Sequence, residues 1–263
     1  MSTIVALHAH PDDETILESG TLARAVDEGH RVVIVYATRG ELGEVPDGML
    51  APGETLVERR VQEAERSAAA VGTGRIVWLA YGDSGMAGTP DNDNPACFWQ
   101  ADVEEAAARV AGILQEEAAE ALIIYDPQGN YGHPDHIQVH RVGVRAGELA
   151  GTPHVLEATI SRDHAQALIA QVVAVTGEFP DDVPDLSDPD VTFGMPDAVI
   201  TTRIDVTPWL DRKRAAMEAH ATQVGDLGLF LGMDPETYAR AMGTEFFIRH
   251  GVPSDHRDTK LFG

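Results

Sequence analysis

Thr3-Ile4-Val5-Ala6-Leu7-His8, running directly into Ala9-His10-Pro11-Asp12-Asp13-Glu14, decides the fold. Six residues that are almost all apolar, with β-branched Ile4 and Val5 among them, read as a short strand buried on both faces, and the polar run after it reads as the loop at its carboxyl end. Residues 16–28 follow with Ile16, Leu17, Leu22, Ala23 and Val26 at helical spacing, and 31–37 is a second apolar strand, so the chain opens β-α-β. The alternation continues with a charged amphipathic helix over 54–71 stopped by Gly72, a strand over 75–79, a helix over 102–118 and a strand over 121–125. Strands alternating with helices of this length predict an α/β fold with a Rossmann-like, mostly parallel sheet and helices on both faces. After a strand at His154–Thr159 the pattern loosens. Residues 178–196, rich in Asp and Pro, read as an exposed excursion or lid. A strand over 198–204, a helix over 208–221 and a short strand over 245–248 complete one domain spanning 1–263.

The chain carries 43 acidic against 19 basic residues, a formal net charge of −24, and shows no basic stripe. That balance excludes nucleic acid and anionic membrane as partners. No apolar run is long enough to span a bilayer, and the expected location is cytoplasmic. With Cys97 as the single cysteine, a metal must be held by His and carboxylate groups. A small-molecule substrate is the expected partner, and a homo-oligomer is compatible with the composition.

In open parallel sheets, ligands gather beyond the carboxyl ends of the strands. Four polar loops fall there, at 10–13, 38–43, 81–86 and 126–136. The last holds Tyr131-Gly132-His133-Pro134-Asp135-His136, a second cluster of imidazoles and carboxylates around a proline. One His-Pro-Asp is an ordinary turn; two at one sheet edge point to a metal. His10 and Asp13 bracket the first turn and His136 arrives from the other loop, giving two imidazoles and one carboxylate. That set suits Zn²⁺, and Fe²⁺ as well, with a coordination position left open. Asp12 is then free to act as general base. His133 is expected to act as an imidazolium that stabilises an oxyanion or protonates the leaving group, with Asp135 keeping it charged, and Tyr131 to donate to the polarised carbonyl. His8 reads as a core histidine, His140 as carried away from the rim, and His220 with Gln223 as a helix terminus or outer support.

At AHPDDE and YGHPDH the chain resembles the PIG-L/LmbE-like family of metal-dependent deacetylases, over most of its length. The resemblance implies that His10, Asp13 and His136 bind zinc, that Asp12 is the base, and that His133 and Tyr131 serve the tetrahedral intermediate. Segments 38–44, 81–86 and 220–224 resemble the actinobacterial branch that handles mycothiol, in which the substrate is an N-acetylglucosamine joined to inositol. Its sugar hydroxyls are held by Arg and acidic side chains, and Arg59, Asp83 and Glu41 are the matching candidates. Arg59 and Arg60 are adjacent, so only one can face the rim. The implied reaction releases acetate and a free amine. A mycothiol S-conjugate amidase and a deacetylase of another amino-sugar or antibiotic use the same machinery. Outside that class stand a non-haem iron oxygenase and a catalytically silent sugar-binding protein.

Overall fold

In the computed structural model, which describes residues 1–176, 179, 184–188 and 190–262, the chain runs β1 (Thr3–His8), α1 (Asp13–Leu17), α2 (Ser19–Asp27), β2 (Arg31–Tyr36), α3 (Leu56–Val71), β3 (Arg75–Trp78), α4 (Val103–Glu116) and β4 (Ala119–Tyr125). It continues with the single turn α5 (Gly129–Gly132), α6 (Pro134–Ala150), β5 (His154–Thr159), α7 (Arg162–Thr176), β6 (Thr202–Asp205), α8 (Leu210–Ala219), α9 (Val224–Leu231), α10 (Pro235–Met242) and β7 (Thr244–Arg249). Seven strands form one sheet in the order β3-β2-β1-β4-β5-β7-β6. β1 to β5 are parallel, and β7 runs antiparallel to both β5 and β6. The sheet is thus mostly parallel, as the opening alternation requires.

Ile4, Val5, Ala6 and Leu7 are fully buried, so β1 has covered faces on both sides. Two helix groups supply the cover: α4 packs on α6, while α3 and α2 pack on α8. Local chemistry sets the helix ends. Thr55 and Glu58 form a reciprocal capping box at the start of α3, and Gly72 ends it in the left-handed region at φ 95°. The helix expected over 16–28 is split, because Glu18 leaves helical geometry (φ −153°, ψ 3°) between α1 and α2. Its buried carboxylate lies 3.2 Å from Nε2 of His8.

The C-terminal half departs most from expectation. α7 and α9 carry only a weak polar/apolar stripe in sequence, α10 is amphipathic but only eight residues long, and β6 begins at Thr202, four residues later than the apolar run suggests. β7 is fixed from outside: Glu245 accepts the N–H groups of Gly20 (3.0 Å) and Thr21 (2.7 Å) in the first turn of α2 and pairs with buried Lys213 of α8 at 2.5 Å. Within 178–196, positions 178, 180–183 and 189 lie outside the described residues. Among the described residues, no helix is long and apolar enough to cross a membrane.

Candidate active site

From β1 the chain steps outward through β2 to β3 and then returns to the other flank of β1 as β4. The loops after β1 and β4 therefore diverge at the point where strand order reverses, which opens a crevice between them. Both His/Asp runs sit on that crevice.

The first loop turns sharply at Asp12, whose φ of 116° and ψ of −32° are strained for a residue with a side chain. Such a conformation costs about 1–3 kcal/mol and persists only where its surroundings over-determine it. They do so here. The Asp12 N–H donates to Glu14 Oε2 (3.0 Å), its carbonyl accepts from Thr15 N (2.9 Å) and Thr15 Oγ1 (2.7 Å), and the Pro11 carbonyl accepts from the Arg60 guanidinium. Glu14 is in turn fixed by Ser67 (2.6 Å) and by His220 Nε2 (2.8 Å), and stays ionised, its pKa drawn down to about 2 against the pull of burial by His220 and His8. The second loop is anchored by Asp126, which accepts from Gln128 N (2.9 Å), Asn130 N (3.1 Å), Asn130 Nδ2 (3.0 Å) and Thr159 Oγ1 (2.6 Å). Pro134 then opens α6 in its first turn, with His133 as the capping residue.

These turns bring one nitrogen of His10, one of His136 and one carboxylate oxygen of Asp13 within 4.8 Å of one another. Asp13 Oδ1 lies 3.2 Å from His136 Nε2, and Asp13 Oδ2 lies 3.5 Å from His10 Nδ1 while accepting the His10 backbone N–H at 2.8 Å. The opposite nitrogen of His10, Nε2, faces Asp135 Oδ2 at 3.3 Å, an arrangement in which a carboxylate orients an imidazole whose other nitrogen is free to ligate. A divalent cation fits on charge grounds too. The carboxylates of Asp12, Asp13, Asp83 and Asp135 crowd against the imidazoles of His10 and His136 and the guanidinium of Arg60, an acid-rich setting that favours added positive charge. Burial alone would lower the His10 pKa, yet Asp83, Asp13 and Asp135 hold it well above the usual histidine value. A second trio, His10, Asp83 and His133, also meets the 4.8 Å spacing, but it draws on the same His10.

Asp12 stands apart from the ligand trio, its Oδ1 3.3 Å from Arg60 Nη2. Burial, helped by the neighbouring Asp13 and opposed by Arg60, pushes its pKa up to about 7. Tyr131 is 42% exposed, with its hydroxyl 3.4 Å from His136 Nε2. The His133 ring lies 4.8 Å from that of His10 and 5.2 Å from that of His136, centroid to centroid.

Two sequence expectations change. Asp135 does not turn its carboxylate to His133: Ser84 Oγ donates to Oδ1, Ser84 N donates to Oδ2 at 3.0 Å, and His10 takes the remaining contact. Instead the Asp135 backbone N–H donates to His133 Nδ1 at 3.1 Å, which leaves Nε2 to carry the proton of a neutral ring. Burial, with the repulsion of His10 and His136, lowers the His133 pKa to about 3, which runs against the expected imidazolium. Likewise Arg59 forks onto Glu54 at 2.8 and 2.6 Å on the outer side of α3, and Arg60 is the arginine that enters the site. Helix phase separates the two neighbours by about 100°. Gly40, at φ 63°, makes room for that guanidinium, because a Cβ there or at Gly43 would collide with Nη1 of Arg60.

Asp83 lies 3.6 Å from His10 Nε2 and accepts the N–H groups of Gly85 (2.9 Å) and Leu42 (3.2 Å); these donors and His10 outweigh burial and keep it ionised, well below the usual range. Glu41 accepts the Asp83 N–H at 3.0 Å, which laces the loops after β2 and β3 together. His8 is fully buried, its Nδ1 3.0 Å from the Tyr125 hydroxyl, and His140 turns to the Tyr125 carbonyl at 3.0 Å. Glu14, Ser84 and Arg60 are the site residues that spacing alone did not single out. Glu14 was legible as the last member of the first run, whereas Ser84 shows no distinguishing mark in sequence.

A His/Asp cluster at the switch point of a parallel α/β sheet, with a free carboxylate beside it, has the parts of a hydrolase. The model of the PIG-L family, described as GlcNAc-PI de-N-acetylase, matches residues 5–147, more than half of the chain and both of the His/Asp runs. The chain belongs to this family. A 1D-myo-inositol 2-acetamido-2-deoxy-alpha-D-glucopyranoside deacetylase of Thermobifida fusca is 39% identical and covers 98% of each chain, and one of Acidothermus cellulolyticus is 40% identical, covering 94% of this chain and 88% of the relative. Among solved structures, the N,N'-diacetylchitobiose deacetylase of Pyrococcus horikoshii superposes with a TM-score of 0.59 at 21% identity, over 96% of this chain and 84% of the other, a likeness of fold.

Proposed function

We propose that this chain, acting as one domain, hydrolyses the N-acetyl amide of an N-acetylglucosamine joined to inositol, with a divalent cation, zinc, held by His10, Asp13 and His136. The convergence of those three donors beside an uncommitted Asp12 carries the reading, and near-full-length relatives of that name support the substrate. Two imidazoles and a carboxylate are a common zinc set with room for a fourth ligand. When bound, the cation supplies Lewis acidity to the acetyl carbonyl and to water.

Asp12 takes the proton of the attacking water. Its raised pKa puts it close to neutral pH, where a base is both deprotonated and strong enough to act. Arg60 holds the carboxylate in position through Oδ1. His133, with its proton on Nε2, donates that N–H to the oxygen that gains charge, and Tyr131, whose ring lies 6.2 Å from that of His133, donates beside it. Return of the proton to the leaving amine falls to Asp12, which alone among these groups has just accepted one. Asp83, turned to His10 and steadied by Glu41, offers a carboxylate to sugar hydroxyls, whereas the buried Arg60 spends its guanidinium on the Gly40 and Pro11 carbonyls and on Asp12 and so acts by holding the base.

Amine release from metal-loaded protein, measured against a panel of N-acetylglucosamine derivatives that includes the inositol-linked sugar, tests the proposal. The inositol conjugate is expected to give the highest kcat/KM, and equal turnover of simple N-acetylglucosamine would remove the inositol assignment. Because Asp12 must be ionised to act, kcat/KM should fall as pH drops through its pKa. A cation nearby can only lower that pKa, so the acid limb belongs below pH 7 and should vanish in Asp12→Asn. Arg60→Ala is expected to lose more than about tenfold in kcat/KM, whereas Arg59→Ala, which breaks only a surface pair, should stay within about twofold. The reverse order would return the site role to Arg59.

A further inference from the structure

The Asp/Pro-rich stretch approaches the active site, and one side chain gathers several of its described carbonyls. The Arg162 guanidinium, at the start of α7, donates to the carbonyls of Leu186 (Nη2, 2.7 Å), Asp188 (Nη2, 2.6 Å) and Val191 (Nη1, 2.7 Å), and Gln166 adds a second bond to Leu186 at 2.6 Å. Beyond Val191 the chain follows the loop that carries Tyr131. Thr192 lies against Gly132, and the Gly194 N–H donates to the Asn130 carbonyl at 2.6 Å. Met195 then closes the strip on the end of β5, through Met195 N to Ile160 O (2.8 Å) and Arg162 N to Met195 O (2.9 Å). Gly194 sits at φ 56° directly on the Ile160 carbonyl, where no Cβ fits.

Asn130 itself is strained, at φ 62° and ψ −56°, and it is the residue before Tyr131. Its side chain and N–H are fixed by Asp126, but its carbonyl has the Gly194 N–H as partner. One peptide plane of the Tyr131 turn is therefore set by a strip whose other end is tied to Arg162. We infer that Arg162 is a positioning residue for the reaction: through residues 191–194 it fixes the conformation of the Asn130–Tyr131 turn and so the placing of the Tyr131 hydroxyl. This rests on the role assigned to Tyr131 above. Residues 190–196 are then a wall of the site, tied down through their backbone.

A double-mutant cycle of Arg162→Ala and Tyr131→Phe, read as kcat and KM separately on the metal-loaded protein, tests it. Arg162→Ala is expected to lower kcat by about tenfold with little change in KM, since a misplaced donor weakens the transition state more than substrate binding. In the Tyr131→Phe background the same change should have almost no further effect. A full additional loss there, or an unchanged kcat for Arg162→Ala alone, would overturn the inference. If Tyr131→Phe itself leaves kcat intact, the reading of Tyr131 fails first and takes the inference with it. Should Arg162→Ala fold poorly, Arg162→Lys serves: it keeps the charge but cannot fork to three carbonyls, and the same loss of kcat, absent in the Tyr131→Phe background, is expected at an unchanged melting temperature. Parent-like kcat in a folded Arg162→Lys protein, with the melting temperature lowered, would show a structural role only.

Discussion

Asp12→Asn is expected to bind the cation as well as the parent protein does and to lose roughly 10²–10⁴-fold in kcat, the range for removing a positioned general base. Asparagine is the informative substitution. It keeps the size of the side chain and an oxygen for Arg60, and Asn enters positive φ far more readily than alanine, so the strained turn is preserved. The Asp12 N–H bond to Glu14 is a backbone contact and survives as well. Only the ability to take a proton is removed. Loss of metal in this variant would mean that Asp12, in place of Asp13, is a ligand; retained turnover would mean that the proton goes elsewhere.

His136→Ala is expected to lose cation and activity together. Changes in groups that merely orient a ligand cost about 10–100-fold in metal affinity, and removal of a ligand should exceed that. The ring is 1% exposed and lies between Tyr125, with ring centroids 4.7 Å apart, and Tyr131 at 4.9 Å, so its loss also leaves a cavity. A melting curve on metal-free protein separates the two effects: the cavity lowers the melting temperature with or without metal, whereas the stabilisation that added metal confers on the parent should be absent from the variant. A variant that still gains stability from zinc and turns over substrate would remove His136 from the site.

Much of this was legible in the sequence because the parallel half of the fold repeats one simple unit. Continuous apolar runs such as 4–7 and 32–35 can only be buried on both faces, and that requirement alone puts helices on both sides and polar loops at one edge. The His/Asp runs then had one place to be. What spacing could not supply was rotation about a helix or a bond. Arg59 and Arg60 differ by one position and end on different sides of α3, one on Glu54 and one at Asp12. The Asp135 carboxylate and the His133 ring are two residues apart, yet Ser84, fifty-one positions away, decides which way the carboxylate turns. The C-terminal half resisted for a related reason. β7 owes its place to Glu245 reaching Lys213 and the first turn of α2, contacts between residues that no local pattern connects.

The central claim is that the loops after β1 and β4 grip a single cation at the point where strand order reverses. Anomalous diffraction from crystals grown with one equivalent of zinc tests it most directly. One strong peak in contact with His10, Asp13 and His136 is the expected result. A peak seated instead on His10, Asp83 and His133, or the absence of any peak in the crevice, would contradict it.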